Sequence, residues 1–180
     1  QNALDQRAAE DPELSDAQVC KLLGTSHEPT KALMREARAV PGVVKVHIAS
    51  GIRMDLARKD PEYLDELAAH HVGGHLKVAP EHVSERVLAR MKKPGIEAFE
   101  EFAERFEAAS RRAGKEQFLV PYFIASHPGS TVEDMIELAI FLKQRGYRPR
   151  QVQDFIPAPM DLATCMYWTG LDPQTLEPVN

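Results

Sequence analysis

Residues 126–131 read Ser-His-Pro-Gly-Ser-Thr, and they close a hydrophobic run just ahead of an acidic helix start at Glu133 and Asp134. A strand ending in such a turn brings backbone N–H groups, a histidine and the positive end of a helix dipole to one place. In α/β proteins ligands settle at such places, outside the carboxyl ends of the strands. Pro128 and Gly129 supply the sharp turn, and Ser130 or Thr131 supplies the helix cap. An ordinary strand-to-helix turn without a ligand uses the same residue types. Chemistry therefore depends on what else converges there.

If the strands are parallel, their ends share one rim. Arg53 and Asp55 follow the first strand, Glu81 and His82 the second, His127 the third, and Asp154 lies within the fourth. One chemistry open to this set is metal-assisted hydrolysis or lysis, with Glu81, His82, His127 and Asp154 as ligands around an open coordination position. The competing reading makes the same four residues caps and turns. A nucleophilic triad finds less support, because Ser126 is not in a G-x-S-x-G elbow and neither cysteine has a neighbouring histidine. His70, His71 and His75 flank the Gly73-Gly74 turn, and two of them are expected to be solvated.

The elements that would position these residues alternate strand and helix. Residues 1–29 are polar and acidic and read as a lead-in segment. Thr30 is expected to cap a helix with Leu33, Met34, Ala37 and Val40 on its apolar face, ended by Pro41-Gly42. The run 43–49, VVKVHIA, reads as a strand. A helix over about 60–70 turns Tyr63, Leu64, Leu67 and Ala68 inward, and a short strand follows near 75–79. Val87, Leu88 and Met91 mark a short helix; Phe99, Phe102, Phe106 and Ala109 mark a longer one whose stripe is core packing. A strand over 117–125 leads into the turn, and a helix follows with Met135, Leu138, Ala139 and Leu142 inward. A last strand spans 152–156. The expected fold class is α/β: a partial (β/α) barrel segment of about four parallel strands with flanking helices. Four strands cannot close an eight-stranded barrel, so strand edges are left for something else to cover.

Composition bounds the function classes. A hydrophobic fraction of 43% with 27% charged residues is that of a soluble globular protein. The net charge of −5 argues against a dedicated nucleic-acid binder. Lys92, Lys93, Arg111, Arg112 and Lys115 are accordingly expected to form a solvated helix face. No apolar run reaches the roughly 18 residues that span a bilayer, and no signal pattern opens the chain. A cytoplasmic location without membrane contact is expected.

Four segments in order resemble the later part of a radical S-adenosylmethionine (radical SAM) barrel. Residues 51–74 are similar to its strand-end arginine with a following helix and glycine turn. Residues 74–95 resemble the fourth-strand segment, residues 120–147 the fifth-strand turn, and residues 154–167 the sixth-strand exit. Within that superfamily, KVAPEH, KKPG, PYFIASHPG and QVQDFIPAP resemble the wording of the YgiQ family. The resemblance covers residues 40–170 and divides the chain into a lead-in (1–29), a partial radical SAM-like barrel (30–160) and a C-terminal tail (161–180). It implies that Glu81 meets the ribose hydroxyls of S-adenosylmethionine, that the backbone of Ile124 and Ala125 lies against the adenine, and that Ile156 packs on the same ring. It also implies that Arg53 pairs with the methionyl carboxylate or with substrate, while His127 and Asp154 face the substrate cavity. A [4Fe–4S] cluster and S-adenosylmethionine are the implied cofactors.

The chain departs from that pattern at the cluster. The CxxxCxxC loop is absent, and Cys20 and Cys165, far apart in sequence, cannot replace three close thiolates. The resemblance thus implies the C-terminal fragment of a longer enzyme, inactive alone and lacking the N-terminal half of its barrel; the other possibility is a natural cluster-free relative. A barrel-type metal-dependent hydrolase or lyase and a non-catalytic binding module stand as alternatives, and the substrate is not specified.

Overall fold

A computed structural model describes residues 25–149 and 152–179. The lead-in up to residue 24, Cys20 included, lies outside the described residues. Two compact units emerge, one from residues up to 79 with 97–121, the other from 80–96 with 122 onward. The sheet has three parallel strands in the order β1 (His75–Glu81), β2 (Phe118–Ala125), β3 (Gln153–Asp154). Helices flank it and it does not close, as expected of a partial α/β fold.

In the first unit, α1 (Glu28–Ala39) begins two residues before the expected cap; His27 holds the N-cap position and Pro29 the first turn. Its expected apolar face is only partly used. Met34 is buried, but Leu33 and Val40 are exposed and Lys31 is buried in their place. Ion pairs fix this helix instead: Lys31 to Glu62 at 2.9 Å, Arg35 to Glu66 at 2.6 Å and Arg38 to Glu66 at 3.0 Å. Glu28 and Glu62 hold the Lys31 ammonium above the ordinary lysine range.

Residues 43–49 form no ladder strand among the described residues. The β-rich composition is met by scattered bonds: the Ile48 N–H donates to the His71 carbonyl (3.0 Å), His71 Nδ1 lies 2.8 Å from the Val46 carbonyl, and Ile52 makes one parallel bridge to Val78. β-propensity needs a partner ladder to act on, and among the described residues the nearest bridge is at Ile52, beyond this run.

After the short α2 (Met54–Ala57), α3 (Pro61–Glu66) starts with the Asp60 carboxylate accepting from the Tyr63 N–H at 3.0 Å. It widens into a π-helical turn over Leu67–His71. Tyr63, Leu64, Leu67 and Ala68 are buried as their spacing requires. After α4 (Glu85–Arg90) in the second unit comes α5 (Ile96–Arg112), with Phe99, Phe102, Phe106 and Ala109 each no more than 1% exposed.

The second unit packs Val83, Phe123 and Leu138 at its centre, with Ile96, Met135, Phe141 and Leu142 around them. Its long helix is α6 (Val132–Gln144). The last expected strand shortens to two residues, and the expected tail contains a helix, α7 (Leu162–Thr169). The Asp161 carboxylate caps that helix by accepting from the Ala163 N–H, and Gly170 ends it at φ +68°. A Leu171–Pro178 bridge then turns the chain back. Among the described residues no helix is long and apolar enough to cross a membrane.

Candidate functional site

The strand ends of the second unit carry two backbone outliers. Glu81, last in β1, has φ +68°, and Ser126, just past β2, has φ +60°. Both are non-glycine residues in the left-handed region, which costs about 1–2 kcal/mol each. At Glu81 the cause is visible. The His82 N–H donates to the Pro80 carbonyl at 2.9 Å, closing a three-residue turn with Glu81 at its centre. Such positive-φ γ-turns are rare and strained. The turn leaves the Glu81 carboxylate half-buried, with Oε1 3.3 Å from Lys93 Nζ.

His82 is fully buried, and its Nδ1 accepts from the Ser84 N–H at 3.0 Å. The ring proton therefore sits on Nε2, which has no partner among the described residues. Burial lowers the His82 pKa, and the nearby His127 lowers it further against the opposing pull of Asp134.

Ser84 also donates its hydroxyl to Asp134 at 2.7 Å. Asp134 is the hub of this region: it accepts from the Thr131 N–H (2.7 Å) and Thr131 hydroxyl (2.9 Å) and pairs with Arg86. Thr131 and Asp134 form a full capping box at the start of α6. Burial alone would raise the Asp134 pKa, but the bonds from Ser84 and Thr131 and the Arg86 charge outweigh it and hold the carboxyl at about 2. Because the folded pKa lies below the ordinary 3.8, this group stabilises the fold above about pH 4 and the contribution disappears as pH falls toward 2. Asp134→Asn should therefore lower the melting temperature at neutral pH, with the gap to wild type closing below about pH 3. A gap that stays constant across this range would show that the carboxylate charge is not what stabilises.

The turn itself is held by Arg90, whose Nη1 donates to the Gly129 carbonyl at 3.0 Å. Gly129 has φ +82°, and a Cβ built there would lie 2.4 Å from Arg90 Nη1 and 2.7 Å from its Cζ. Gly129→Ala is expected to destabilise by about 1–3 kcal/mol from backbone strain and the displaced arginine. Chemical denaturation measures it, and a loss below about 0.5 kcal/mol would contradict the reading.

His127 is buried with its ring edge toward Phe155, centroids 5.5 Å apart. Nδ1 lies 2.9 Å from the Pro128 carbonyl and donates to it, which leaves Nε2 as an acceptor. Burial lowers its pKa, the Pro128 bond and Asp161 oppose that, and Arg90 adds to it. A neutral imidazole thus borders a cleft of about 530 Å³ that Thr131, Met135, Met166 and Tyr167 also line.

The other expected site residues are placed as follows. Ala125 pairs with Asp154 and Ile124 with Gln153 in parallel register. The Ala125 carbonyl accepts from the Phe155 N–H at 2.9 Å, leaving one lone pair for a ligand. Asp154 is exposed, and Ile156 is 68% exposed. Arg53 belongs to the other unit, where its guanidinium bonds Asp55 through Nε (3.1 Å) and Nη2 (2.6 Å). The metal reading of Glu81, His82, His127 and Asp154 is not supported: among the described residues no three His, Cys, Asp or Glu side chains group as an ion site. Cys165 is free and exposed on α7. Sequence reasoning missed Ser84, Arg86, Arg90 and the α7 residues of the cleft. The Thr131-x-x-Asp134 spacing and the Asp161…Gly170 bracket were the available signals.

No family model matches the chain. Curated relatives do: a UPF0313 protein of Shewanella oneidensis is 55% identical over 154 residues, 86% of this chain and 20% of the relative. A UPF0313 protein of Pseudomonas aeruginosa is 54% identical over 155 residues, 86% of this chain and 21% of the relative. The UPF0313 protein YgiQ of Escherichia coli K12 is 51% identical over 155 residues, with the same two shares. The chain thus spans about a fifth of the length of the curated relatives it matches. At this identity, sustained over most of its residues, the chain belongs to the UPF0313 family that includes YgiQ.

Proposed function

We propose that this chain is part of a radical SAM enzyme and contributes the ribose- and adenine-facing rim of its S-adenosylmethionine site. The observation that carries the reading is the strained turn at Glu81. Strain in a non-glycine residue persists where the residue's placement is needed, and here it aims a half-buried carboxylate off the end of a parallel strand. A carboxylate so held accepts two hydrogen bonds from a ribose diol, with Lys93 as its partner until the ligand arrives. Ile124, Ala125 and Ile156 offer strand backbone and an exposed apolar side chain to the adenine. His127, neutral and with Nε2 open as an acceptor, would position the substrate, and Asp154 would border the same cavity.

The described residues fit S-adenosylmethionine and do not fit the cluster. Cys165 is a lone exposed thiol, and no three ligating side chains gather among the described residues. The [4Fe–4S] cluster would be held by thiolates elsewhere in the longer protein. When bound, the two groups together would supply radical chemistry for hydrogen abstraction from a substrate, while this chain's residues would bind, orient and exclude water.

The test is made in the longer protein that contains this chain. Anaerobic reconstitution should give cluster absorbance, and reductant with S-adenosylmethionine should release 5′-deoxyadenosine. A reconstituted protein with an intact cluster that releases none would sink the proposal.

A further inference from the structure

The first unit contains a second cleft, of about 430 Å³, that the cofactor reading does not use. Arg38, Lys45, His47, His70 and Lys115 line it, with Glu116 as the single carboxylate. Three permanent cations against one anion make it electropositive in a chain whose net charge is −5.

Structural duties consume part of that charge, through the ion pair of Arg38 with Glu66. Lys45 and His47 have no hydrogen-bond or ion-pair partner among the described residues, and both are exposed. Arg38 bonds Glu66 through Nη2, yet its Nε–H is buried with no acceptor among the described residues. A buried donor left unpaired costs about 1–3 kcal/mol, so the arginine is satisfied only when something else supplies an acceptor. Lys115 bonds the Ala68 carbonyl (3.2 Å) and the Ala69 carbonyl (2.6 Å), which tethers its ammonium beside the cleft rather than neutralising it. The field is felt at His70, whose pKa is lowered first by burial and then by the Arg38, His71 and Lys115 charges, against Glu66. The His47 ring packs close to the backbone there: a Cβ on Gly73 would come within 3.1 Å of it.

We propose that this cleft binds a small phosphate-bearing molecule. Lys45 and Lys115 would act as point charges on the phosphoryl oxygens, and Arg38 would supply a directed N–H. Glu116 would accept from a hydroxyl or amino group of the same ligand. A bounded concave site, rather than a basic stripe, favours a small molecule over a nucleic-acid strand.

The probe is inorganic pyrophosphate, titrated calorimetrically into the whole chain at low and raised salt. Saturable binding that weakens with salt is expected, and Lys45→Gln should weaken it about tenfold, the worth of one charge-assisted contact. Lys45 has no structural partner, so this variant should melt like the wild type. Lys143→Gln, at an exposed lysine of the other unit, should leave pyrophosphate affinity unchanged. Absence of saturable binding at millimolar pyrophosphate, or equal loss in both variants, would overturn the proposal. So would a short single-stranded oligonucleotide that binds far more tightly than pyrophosphate and loses that affinity in Lys45→Gln. Citrate matching pyrophosphate would also overturn it, by showing a site for carboxylates rather than phosphates.

Discussion

Truncating Phe102 to alanine is expected to cost the first unit about 3–5 kcal/mol, the range for deleting a fully buried aromatic ring. Phe102 is 0% exposed, and its ring lies nearly parallel to Phe106 with centroids 6.1 Å apart. Leu64, Leu67 and Phe99 of the same unit are buried to 1% or less, so little exposed surface is available to collapse into the void. At a typical urea sensitivity of about 1–3 kcal/mol per molar, the loss moves the denaturation midpoint down by more than about 1 M. Phe118→Ala is the control: the residue is 53% exposed and should cost less than about 1 kcal/mol. If the two variants lost equal stability, the α5 stripe would not be the core of this unit.

Replacing Glu81 should separate function from stability. Glu81→Gly removes both the carboxylate and the Cβ that makes φ +68° unfavourable. The fold should gain up to about 1 kcal/mol, because glycine adopts this conformation without strain. In the longer protein the same change should weaken S-adenosylmethionine binding by about thirtyfold to a hundredfold, the loss expected for a charged acceptor of two hydrogen bonds. Glu81→Gln, which keeps the strain and one acceptor, should fall between. The two readouts must move in opposite directions. A Glu81→Gly variant that is less stable, with cofactor affinity intact, would make the turn a structural feature and leave the ribose role without support.

Opposed effects of this kind fit the surrounding architecture. Strain at Glu81 and Ser126 has to be held by rigid neighbours, and the second unit supplies them. Ser84, Arg86 and Thr131 converge on Asp134, while Arg90 clamps the Gly129 carbonyl. The whole cluster is polar and within the reach of two short turns, so it can lock backbone geometry without a large apolar core.

Much of this was legible in the residues. The Phe99, Phe102, Phe106, Ala109 spacing determined α5 and its inward stripe, since helical periodicity is a local property. The Thr131 cap, the Gly129 turn and the inward face of α3 likewise follow from short-range rules of capping, φ and side-chain direction. The resemblance to the YgiQ family also survived comparison, at 50–55% identity to UPF0313 proteins.

Other features needed the folded chain. Residues 43–49 have strand composition but no ladder, because pairing depends on which edge another segment presents. Lys31 is buried while Leu33 is exposed, because Glu62 and Asp60, about thirty residues on, compensate the ammonium where it lies. The γ-turn at Glu81 and the basic cleft around Lys45 and Lys115 likewise depend on groups distant in sequence or on one turn's closure. Sequence by itself determined the inward faces of α3 and α5 and the cap of α6, which local energies set. Tertiary structure alone decided pairing, charge burial and strain, because each is fixed by partners that the chain brings together only on folding.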